Sequence, residues 1–384
     1  MIPYGRQSVS DDDIAAVNKV LRSDFLTQGP VVPSFEADVA RACGGVHAVA
    51  VNSATSALHI ACLALGVGPG DTVWTSPNTF LASANCARYC GAAVDFVDID
   101  ADTFNMCAHT LAAKLAAAER TGRLPKVVIP VHFAGQPCDM AAIHALAVRY
   151  GFRIIEDASH AIGARYEDTR IGDCRYSDIV VFSFHPVKII TSAEGGMALT
   201  RDRALARHMA RLRSHGMTRE PHEMTGPSHG PWYYEQVELG YNYRLTDMQA
   251  ALGLSQLSRL DEWVRRRHEL ADRYDRLLGE LPLDLPVRRS DRYTGLHLYV
   301  VRVRDNAPMD RGALFSYLRE AGVGVNVHYI PIHLQPDYRR FGFAPGDFPV
   351  SEAYYRQAIT LPLYATLDEA DQDRVVSLLQ AALT

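Results

Sequence analysis

Lys188 is the residue of this sequence whose chemistry is hardest to explain by packing alone. It lies in SFHPVKIITSAEGG, residues 183–196, two residues after Pro186 and directly behind an apolar, strand-like run. An ammonium group is costly to bury unless it is paired, neutralised or covalently bound. Lys188 is therefore either solvated at the surface or has a partner.

A pair of carboxylates ends another apolar run, IIEDASHA at residues 154–161. Strand alternation places Asp157 on the side that also carries Ile155, and His160 follows three residues later. A carboxylate at the carboxyl end of a central strand needs a cationic partner, and a protonated pyridine nitrogen would serve. Capping of the next helix is the alternative role, and it is favoured for the aspartate considered alone.

A cluster of small hydroxyl residues lies in VNSATSAL, residues 51–58. Ser53, Thr55 and Ser56 stand where a strand turns into a helix. Free backbone N–H groups and the helix dipole favour an anion at such a point, so a phosphate would fit. Ordinary N-capping by serine or threonine explains the same residues equally well.

Together these three features match what pyridoxal phosphate requires. A lysine amine forms the Schiff base, a carboxylate keeps the ring nitrogen protonated so that the ring accepts electrons, and a helix start holds the phosphate. Each feature is weak alone, and their joint presence on one sheet predicts the cofactor.

The elements that must position these residues alternate between strand and helix. HAVAVNSATSALHIACLALG and DTVWTSPNTFLASANCARYCG each predict a strand, a turn and a helix, and further apolar strands follow up to DIVVFSFHP. This alternation predicts an α/β fold with a mostly parallel sheet covered on both faces. Ligands are then expected at the carboxyl ends of the strands.

The length of 384 residues favours about two domains. A long helical stretch from about 245 to 278 precedes the proline-bearing PLDLPVRR and a second alternating region. We therefore expect a large cofactor-binding domain at residues 1–250. The long connecting helix and a small C-terminal domain are expected at 251–384.

Composition excludes several classes of protein. The net charge of -5 is spread without long runs of one sign, which argues against nucleic-acid binding, and no apolar segment is long enough for a spanning helix. The seven cysteines include no C-x-x-C pair, so neither a disulfide framework nor a metal site is expected. These features predict a cytoplasmic protein with no membrane partner.

Six stretches resemble the DegT/DnrJ/EryC1/StrS family of sugar aminotransferases over nearly the full length. They are FLTQGPVVPSFE, VNSATSALHIA, EDASHAIGA, SFHPVKIITSAEGG, GYNYRLTDMQAALGLSQL and VHYIPIH, in the family's order. The resemblance implies a pyridoxal-phosphate-dependent transferase of fold type I, like aspartate aminotransferase. It also implies a mostly parallel sheet in the large domain and a smaller α/β C-terminal domain.

The same resemblance implies a set of cofactor contacts. Lys188 would bind pyridoxal 5'-phosphate covalently and then move the proton as the catalytic residue. Asp157 would hold the pyridine nitrogen, with His160 near the phenolic oxygen. The phosphate would be held by Ala54, Thr55, Ser183 and, from the neighbouring subunit, Asn242, which implies a homodimer with shared active sites. Phe80 would stack over the ring, with core packing as its alternative.

Within the family, GPWYYEQVELGYNYRLTDMQAALGLSQLSRLD is most similar to the branch that makes UDP-4-amino-4,6-dideoxy-N-acetyl-beta-L-altrosamine. There L-glutamate converts the cofactor to pyridoxamine phosphate, and the amine then passes to C4 of a UDP-linked keto sugar. The resemblance implies that His328 and Arg244 offer positive charge to a diphosphate. The full set of implied substrate contacts is Tyr4, Leu26, Thr27, Gln28, Gly29, Arg244, His328, Tyr329, Ile330 and Pro331.

Other functions remain open at this stage. Arg244 could instead form a dimer salt bridge, and the substrate could be another UDP- or dTDP-linked keto sugar. A cofactor-dependent dehydratase of the same fold would carry histidine in place of Lys188, and a non-catalytic sensor would have lost one of Lys188, Asp157 and Asn242. A nicotinamide oxidoreductase is disfavoured because no G-x-G-x-x-G opens a helix after the first strand.

Overall fold

The computed structural model describes residues 1–45 and 47–384. Its helices are α1 (Asp11–Leu21), α2 (Val31–Ala42), α3 (Ala54–Ala64), α4 (Ala82–Tyr89), α5 (Ala108–Arg120), α6 (Met140–Tyr150), α7 (Arg203–Leu212), α8 (Asp247–Leu257), α9 (Leu260–Leu278), α10 (Arg311–Glu320), α11 (Pro336–Arg339), α12 (Pro349–Gln357) and α13 (Glu369–Leu383). Short 3₁₀ helices span Phe133–Gly135, Pro221–Glu223 and Ile332–Leu334.

The strands are mostly short. They are β1 (Ile2–Pro3), β2 (His47–Val51), β3 (Thr72–Thr75), β4 (Ala93–Phe96), β5 (Val127–Ile129), β6 (Arg153–Asp157), β7 (Arg165–Tyr166), β8 (Thr169–Arg170), β9 (Ile179–Ser183), β10 (Gly196–Thr200), β11 (Met217–Thr218), β12 (Glu235–Gln236), β13 (Leu283–Asp284), β14 (Arg292–Tyr293), β15 (Tyr299–Val303), β16 (Val323–Gly324) and β17 (Ala358–Leu361).

A seven-stranded sheet forms the centre of the molecule, in the order β2-β10-β9-β6-β5-β3-β4. Neighbours from β9 through β4 are parallel, whereas β10 is antiparallel to both β9 and β2. The predicted mostly parallel sheet is thus confirmed. The carboxyl ends of β2, β6 and β9 and the start of β10 lie at one edge, because Gly196 pairs with both Val51 and Ser183.

Strand alternation builds one hydrophobic core on each face of this sheet. Val49, Val51 and Ile155 point toward a core that includes α3, α4 and α7, whereas Ala50 and Ile154 point toward α2, α5, α6 and α8. Both faces are therefore buried, as expected for strands joined by helical crossovers. Asp157, two residues after Ile155, is carried toward the face that α3 and α4 cover.

A second core lies in the C-terminal part of the chain. There β13, β15 and β17 form an antiparallel sheet that packs with α9, α10 and α13. Ile2 joins this core because β1 pairs with β16, so the first residues pack with the C-terminal part and not with the large sheet. The boundary near residue 250 remains a prediction.

The helical stretch expected from 245 to 278 is two helices, α8 and α9, and the expectation of one uninterrupted helix is wrong. At the break, the Ser258 hydroxyl donates to the Ser255 carbonyl at 2.7 Å, and the Arg259 guanidinium bonds the buried carboxylate of Asp13 at 2.6 Å. A local hydroxyl bond and a long-range ion pair thus both lie where α8 ends and α9 begins. Within the described residues, none of the helices has the length and apolarity that crossing a bilayer requires.

Candidate active site

Lys188 lies in the turn that follows β9, at the carboxyl edge of the central sheet. Its backbone N–H donates to the His185 carbonyl at 2.9 Å, and its side chain lines a pocket that Asp157 also lines. Burial lowers the pKa of Lys188 to about 8, and the negative charge of Asp157 opposes part of that shift. The half-buried amine therefore loses its proton more readily than an ordinary lysine, and the neutral form is the one that a nucleophilic lysine needs.

Asp157, at the end of β6, is buried and held at both carboxylate oxygens. Oδ2 accepts a hydrogen bond from the Ser83 hydroxyl at 2.6 Å, and Oδ1 accepts one from the Ser159 N–H at 3.1 Å. The side chain is 5% exposed and still lines the pocket. Its carboxylate is thus fixed in direction while part of its acceptor capacity remains open to a ligand.

The turn between β2 and α3 forms a cradle for an anion. Ser53 is the N-cap of α3, and its side chain accepts from the Ser56 N–H at 3.1 Å. The amides of Ala54 and Thr55 lie in the first turn, where no intrahelical acceptor exists, and both residues line the pocket. Capping and anion binding are therefore compatible roles of this one turn.

Close packing completes the cradle. A Cβ atom at Gly196 would lie 2.4 Å from the Ala54 nitrogen, so only glycine lets the start of β10 approach the helix start this closely. Ser183 pairs with Gly196 and lines the same pocket. Gly196, the second glycine of SAEGG, is therefore part of the anion cradle at the start of α3.

Histidines and a tyrosine also line the pocket. The Tyr329 hydroxyl lies 3.1 Å from Nε2 of His160, and Nδ1 of His328 lies 2.8 Å from the Thr360 hydroxyl. Burial, with a smaller contribution from the charge of Lys188, lowers the pKa of His328 to about 3. The ring is therefore neutral at pH 7, which does not favour the expected role of offering positive charge to a diphosphate.

The pocket has a volume of about 540 Å³. The structure brings together in its lining eleven of the residues that the sequence singled out, namely Tyr4, Ser53, Ala54, Thr55, Phe80, Asp157, His160, Ser183, Lys188, His328 and Tyr329. The ring of Phe80 is 58% exposed, so core packing does not account for it.

Other residues that the sequence singled out do not line this pocket. They are Leu26, Thr27, Gln28, Gly29, Asn242, Arg244, Ile330 and Pro331. Thr27 forms an isolated β-bridge with Thr246, and Arg244 forms one with Val51. The backbone at Thr27 and at Arg244 is therefore paired within this chain.

Sequence reasoning missed several residues of the site. Ser83 contacts Asp157, and His297 lies with its ring centre 4.5 Å from that of His160. Asn326 lines the pocket and lies 3.3 Å from Nε2 of His328. A usable signal existed for His297, since it is a polar residue directly before the apolar strand LYVVRV. Ser83 carried no signal, because it lies in an ordinary helix.

Comparison with known proteins decides the family. The profile of the DegT/DnrJ/EryC1/StrS aminotransferase family matches residues 7–380. The chain belongs to this family. Among curated relatives, the spore coat polysaccharide biosynthesis protein SpsC of Bacillus subtilis is 41% identical over 379 residues, which cover 98% of this chain and 95% of SpsC.

Solved structures of sugar aminotransferases have the same fold. PseC of Helicobacter pylori, an aminotransferase involved in the biosynthesis of pseudoaminic acid, superposes with a TM-score of 0.90 at 29% identity, covering 100% of this chain and 99% of PseC. The PLP form of Spr1654, a putative sugar aminotransferase of Streptococcus pneumoniae, gives 0.88 at 29% identity and covers 100% of both chains. The family member described here is a pyridoxal-phosphate-dependent sugar transaminase with an α/β fold.

The residues present fit the cofactor. The half-buried amine of Lys188, the fixed carboxylate of Asp157 and the helix start that packs against Gly196 line one pocket. Lys188 would hold the cofactor's carbonyl carbon, Asp157 its ring nitrogen, and the first turn of α3 with Ser183 its phosphate.

Proposed function

We propose that the enzyme transfers an amino group from L-glutamate to C4 of a UDP-linked 4-keto-6-deoxy-N-acetylhexosamine. The product would be UDP-4-amino-4,6-dideoxy-N-acetyl-beta-L-altrosamine. The observation that carries the transaminase part is the convergence of Lys188, Asp157 and the α3 helix start on one pocket. The likeness to PseC supports the choice of sugar.

The chain's own residues would act as follows. Lys188, with its pKa lowered to about 8, would take a proton from the carbon that bears the donor's amino group. It would then give this proton to the cofactor's carbonyl carbon. Asp157 stabilises positive charge on the ring nitrogen while electrons move. Bound at this site, pyridoxal phosphate supplies the carbonyl that carries the amine and the ring that accepts electrons.

The second half of the reaction reverses these proton movements on the sugar. Lys188 delivers a proton to C4, so one side chain serves both halves and the two substrates use the same pocket in turn. Tyr4, His328 and Tyr329 line the pocket, and Tyr4 and Tyr329 pack against a small hydrophobic cluster that includes Phe133 and Tyr354. Because His328 is neutral, we assign it to hydroxyl or amide recognition and not to the diphosphate.

We extend the proposal to a homodimer with shared active sites. Thr27, Asn242 and Arg244 lie outside their own chain's pocket, although the family resemblance places them at a cofactor and its substrate. A two-fold partner would resolve this difference by supplying them from the other subunit. The proposal also places the enzyme in the cytoplasm, where its seven free cysteines would stay reduced.

A different nucleotide sugar is the second candidate. SpsC, whose name assigns it to a spore coat polysaccharide, is 41% identical, whereas PseC is 29% identical. Sugar transaminases differ in substrate through a few polar contacts, and membership of the family does not specify these contacts. Another UDP- or dTDP-linked keto sugar would leave the roles of Lys188 and Asp157 unchanged.

The test is product analysis with ¹⁵N-labelled glutamate. Purified enzyme is given UDP-4-keto-6-deoxy-N-acetyl sugars of the L-altro and D-gluco series and a dTDP-linked keto sugar, and the products are weighed by mass spectrometry. Label only in the L-series amino sugar is expected. Label only in another sugar would retain the transaminase and overturn the substrate, and no label in any product would overturn the transaminase as well.

A further inference from the structure

A chain of two buried hydroxyls ends on the carboxylate of Asp157. The Ser83 hydroxyl lies 2.6 Å from Oδ2 of Asp157, and the Thr79 hydroxyl lies 2.8 Å from that of Ser83. Ser83 is fully buried, and Thr79 is 2% exposed and lines the pocket. Ser83 lies in the first turn of α4, which covers the face of the sheet toward which Asp157 points.

The direction of each hydrogen bond follows from the chemistry of the groups. An ionised carboxylate only accepts, so Ser83 must donate its single hydroxyl proton to Asp157. The oxygen of Ser83 can then only accept from Thr79, which makes Thr79 the donor. Hydrogen bonds of this kind polarise one another and are strongest where water is excluded and one member is charged.

We propose that Ser83 is a positioning residue for the cofactor. It fixes the plane of the Asp157 carboxylate and stabilises its negative charge, so that the free acceptor capacity faces the ring nitrogen. Thr79 acts through Ser83 by orienting the serine hydroxyl. The inference rests on the role of Asp157 given above, and it adds two residues that act through the Asp157 carboxylate.

The hydrogen-bonded hydroxyls of Ser83 and Thr79 also connect Asp157 to Phe80, another residue that lines the pocket. Thr79 directly precedes Phe80, and the Ser83 N–H donates to the Phe80 carbonyl at 3.3 Å. Phe80 lines the pocket with an exposed ring. The start of α4 therefore sets both the carboxylate and the aromatic residue that faces the same ligand.

The test compares Ser83→Ala, Thr79→Val and the double variant with Ser351→Ala. Ser351 is a matched control, because it is also fully buried in a helix but its hydroxyl has no partner among the described residues. Each protein is stripped of cofactor and titrated with pyridoxal phosphate, and the absorbance of the bound cofactor is then followed against pH. Both readouts are independent of turnover.

We expect Ser83→Ala to weaken cofactor affinity by roughly tenfold, as for the loss of a hydrogen bond to a charged group. The midpoint of the absorbance titration should move to higher pH, because a less protonated ring withdraws fewer electrons from the lysine linkage. Thr79→Val should cause a smaller change in the same direction. The double variant should match Ser83→Ala alone, since Thr79 acts only through Ser83.

Three outcomes would overturn the inference. They are an unchanged affinity and midpoint in Ser83→Ala, an equal change in Ser351→Ala, and additive effects in the double variant. Asp157→Asn distinguishes this failure from a failure of the underlying site. If Asp157→Asn impairs cofactor binding while Ser83→Ala does not, only the positioning role is lost; if neither does, the assignment of Asp157 fails.

Discussion

Gly196 packs against Ala54 so closely that the two residues define the floor of the phosphate cradle. A Cβ atom at residue 196 would lie 2.4 Å from the Ala54 nitrogen and 2.4 Å from the Ser53 carbonyl carbon. Both contacts are with backbone, which cannot rotate away. Because residue 196 has no side chain, the start of β10 can pack directly against the start of α3.

Gly196→Ala should push the helix start away from the strand and weaken cofactor binding. Overpacking of this kind costs about 1–3 kcal/mol, and here the displaced atoms are the phosphate donors themselves. Gly68→Ala is the control, because a Cβ atom at Gly68 meets nothing within 4 Å. Cofactor titration and thermal unfolding of both variants check this, and unimpaired cofactor binding by Gly196→Ala would contradict the tight cradle.

Lys188→Ala should fold and lose turnover. Lys188 lines the pocket, and the backbone bond from its N–H to the His185 carbonyl does not depend on the side chain. Lys188 is both the acid–base group and the covalent attachment point of the cofactor, so its loss should lower the rate at least about 10³-fold. Circular dichroism reports the fold and the labelled-glutamate assay reports activity. An active variant would exclude Lys188 as the catalytic residue.

Capture of the cofactor by the apoenzyme should accelerate as pH rises through about 8. Burial lowers the pKa of Lys188 to about 8, and only the neutral amine attacks the cofactor's carbonyl. The neutral fraction is small below that pH and approaches completeness above it. Stopped-flow absorbance between pH 6 and 10 measures the rate. A rate that rises only near the ordinary pKa of lysine would show that the amine is solvated.

Mixing two inactive variants should restore activity if the active sites are shared. In a heterodimer of Lys188→Ala and Asn242→Ala, one site would contain both intact residues, so random subunit exchange should recover about a quarter of the wild-type sites. Subunits are mixed, allowed to exchange at limiting cofactor, and assayed. No recovery despite proven exchange would place Asn242 in the site of its own chain.

Cys90 should react with iodoacetamide faster than Cys107, although both thiols are partly exposed. Interaction with the thiol of Cys62 lowers the pKa of Cys90, His59 adds to this effect and burial opposes it, so Cys90 forms a thiolate more readily than an ordinary cysteine. Peptide mapping after brief labelling at pH 7 should find Cys90 modified several-fold more than Cys107. Acidification to pH 5 should remove the difference, and preferential labelling of Cys107 would refute the prediction.

The separation between local and long-range information explains which residues were found from sequence. Lys188, Asp157 and the α3 helix start each lie in a short segment whose residue types reveal their chemistry. Ser83 and Asp157 are 74 residues apart, and nothing in either segment indicates the contact. Arg259, at the break between α8 and α9, likewise bonds Asp13, which lies 246 residues away in the sequence.

The sequence by itself determined the cofactor chemistry and the parallel sheet, because nucleophile, carboxylate, helix start and strand alternation are local patterns. The tertiary structure decided which groups are charged and which residues share the pocket. His328 suited a phosphate contact as a sequence feature, yet burial beside Thr360 and the charge of Lys188 lower its pKa to about 3 and keep it neutral. Charge depends on burial and on neighbours that only the folded chain brings together.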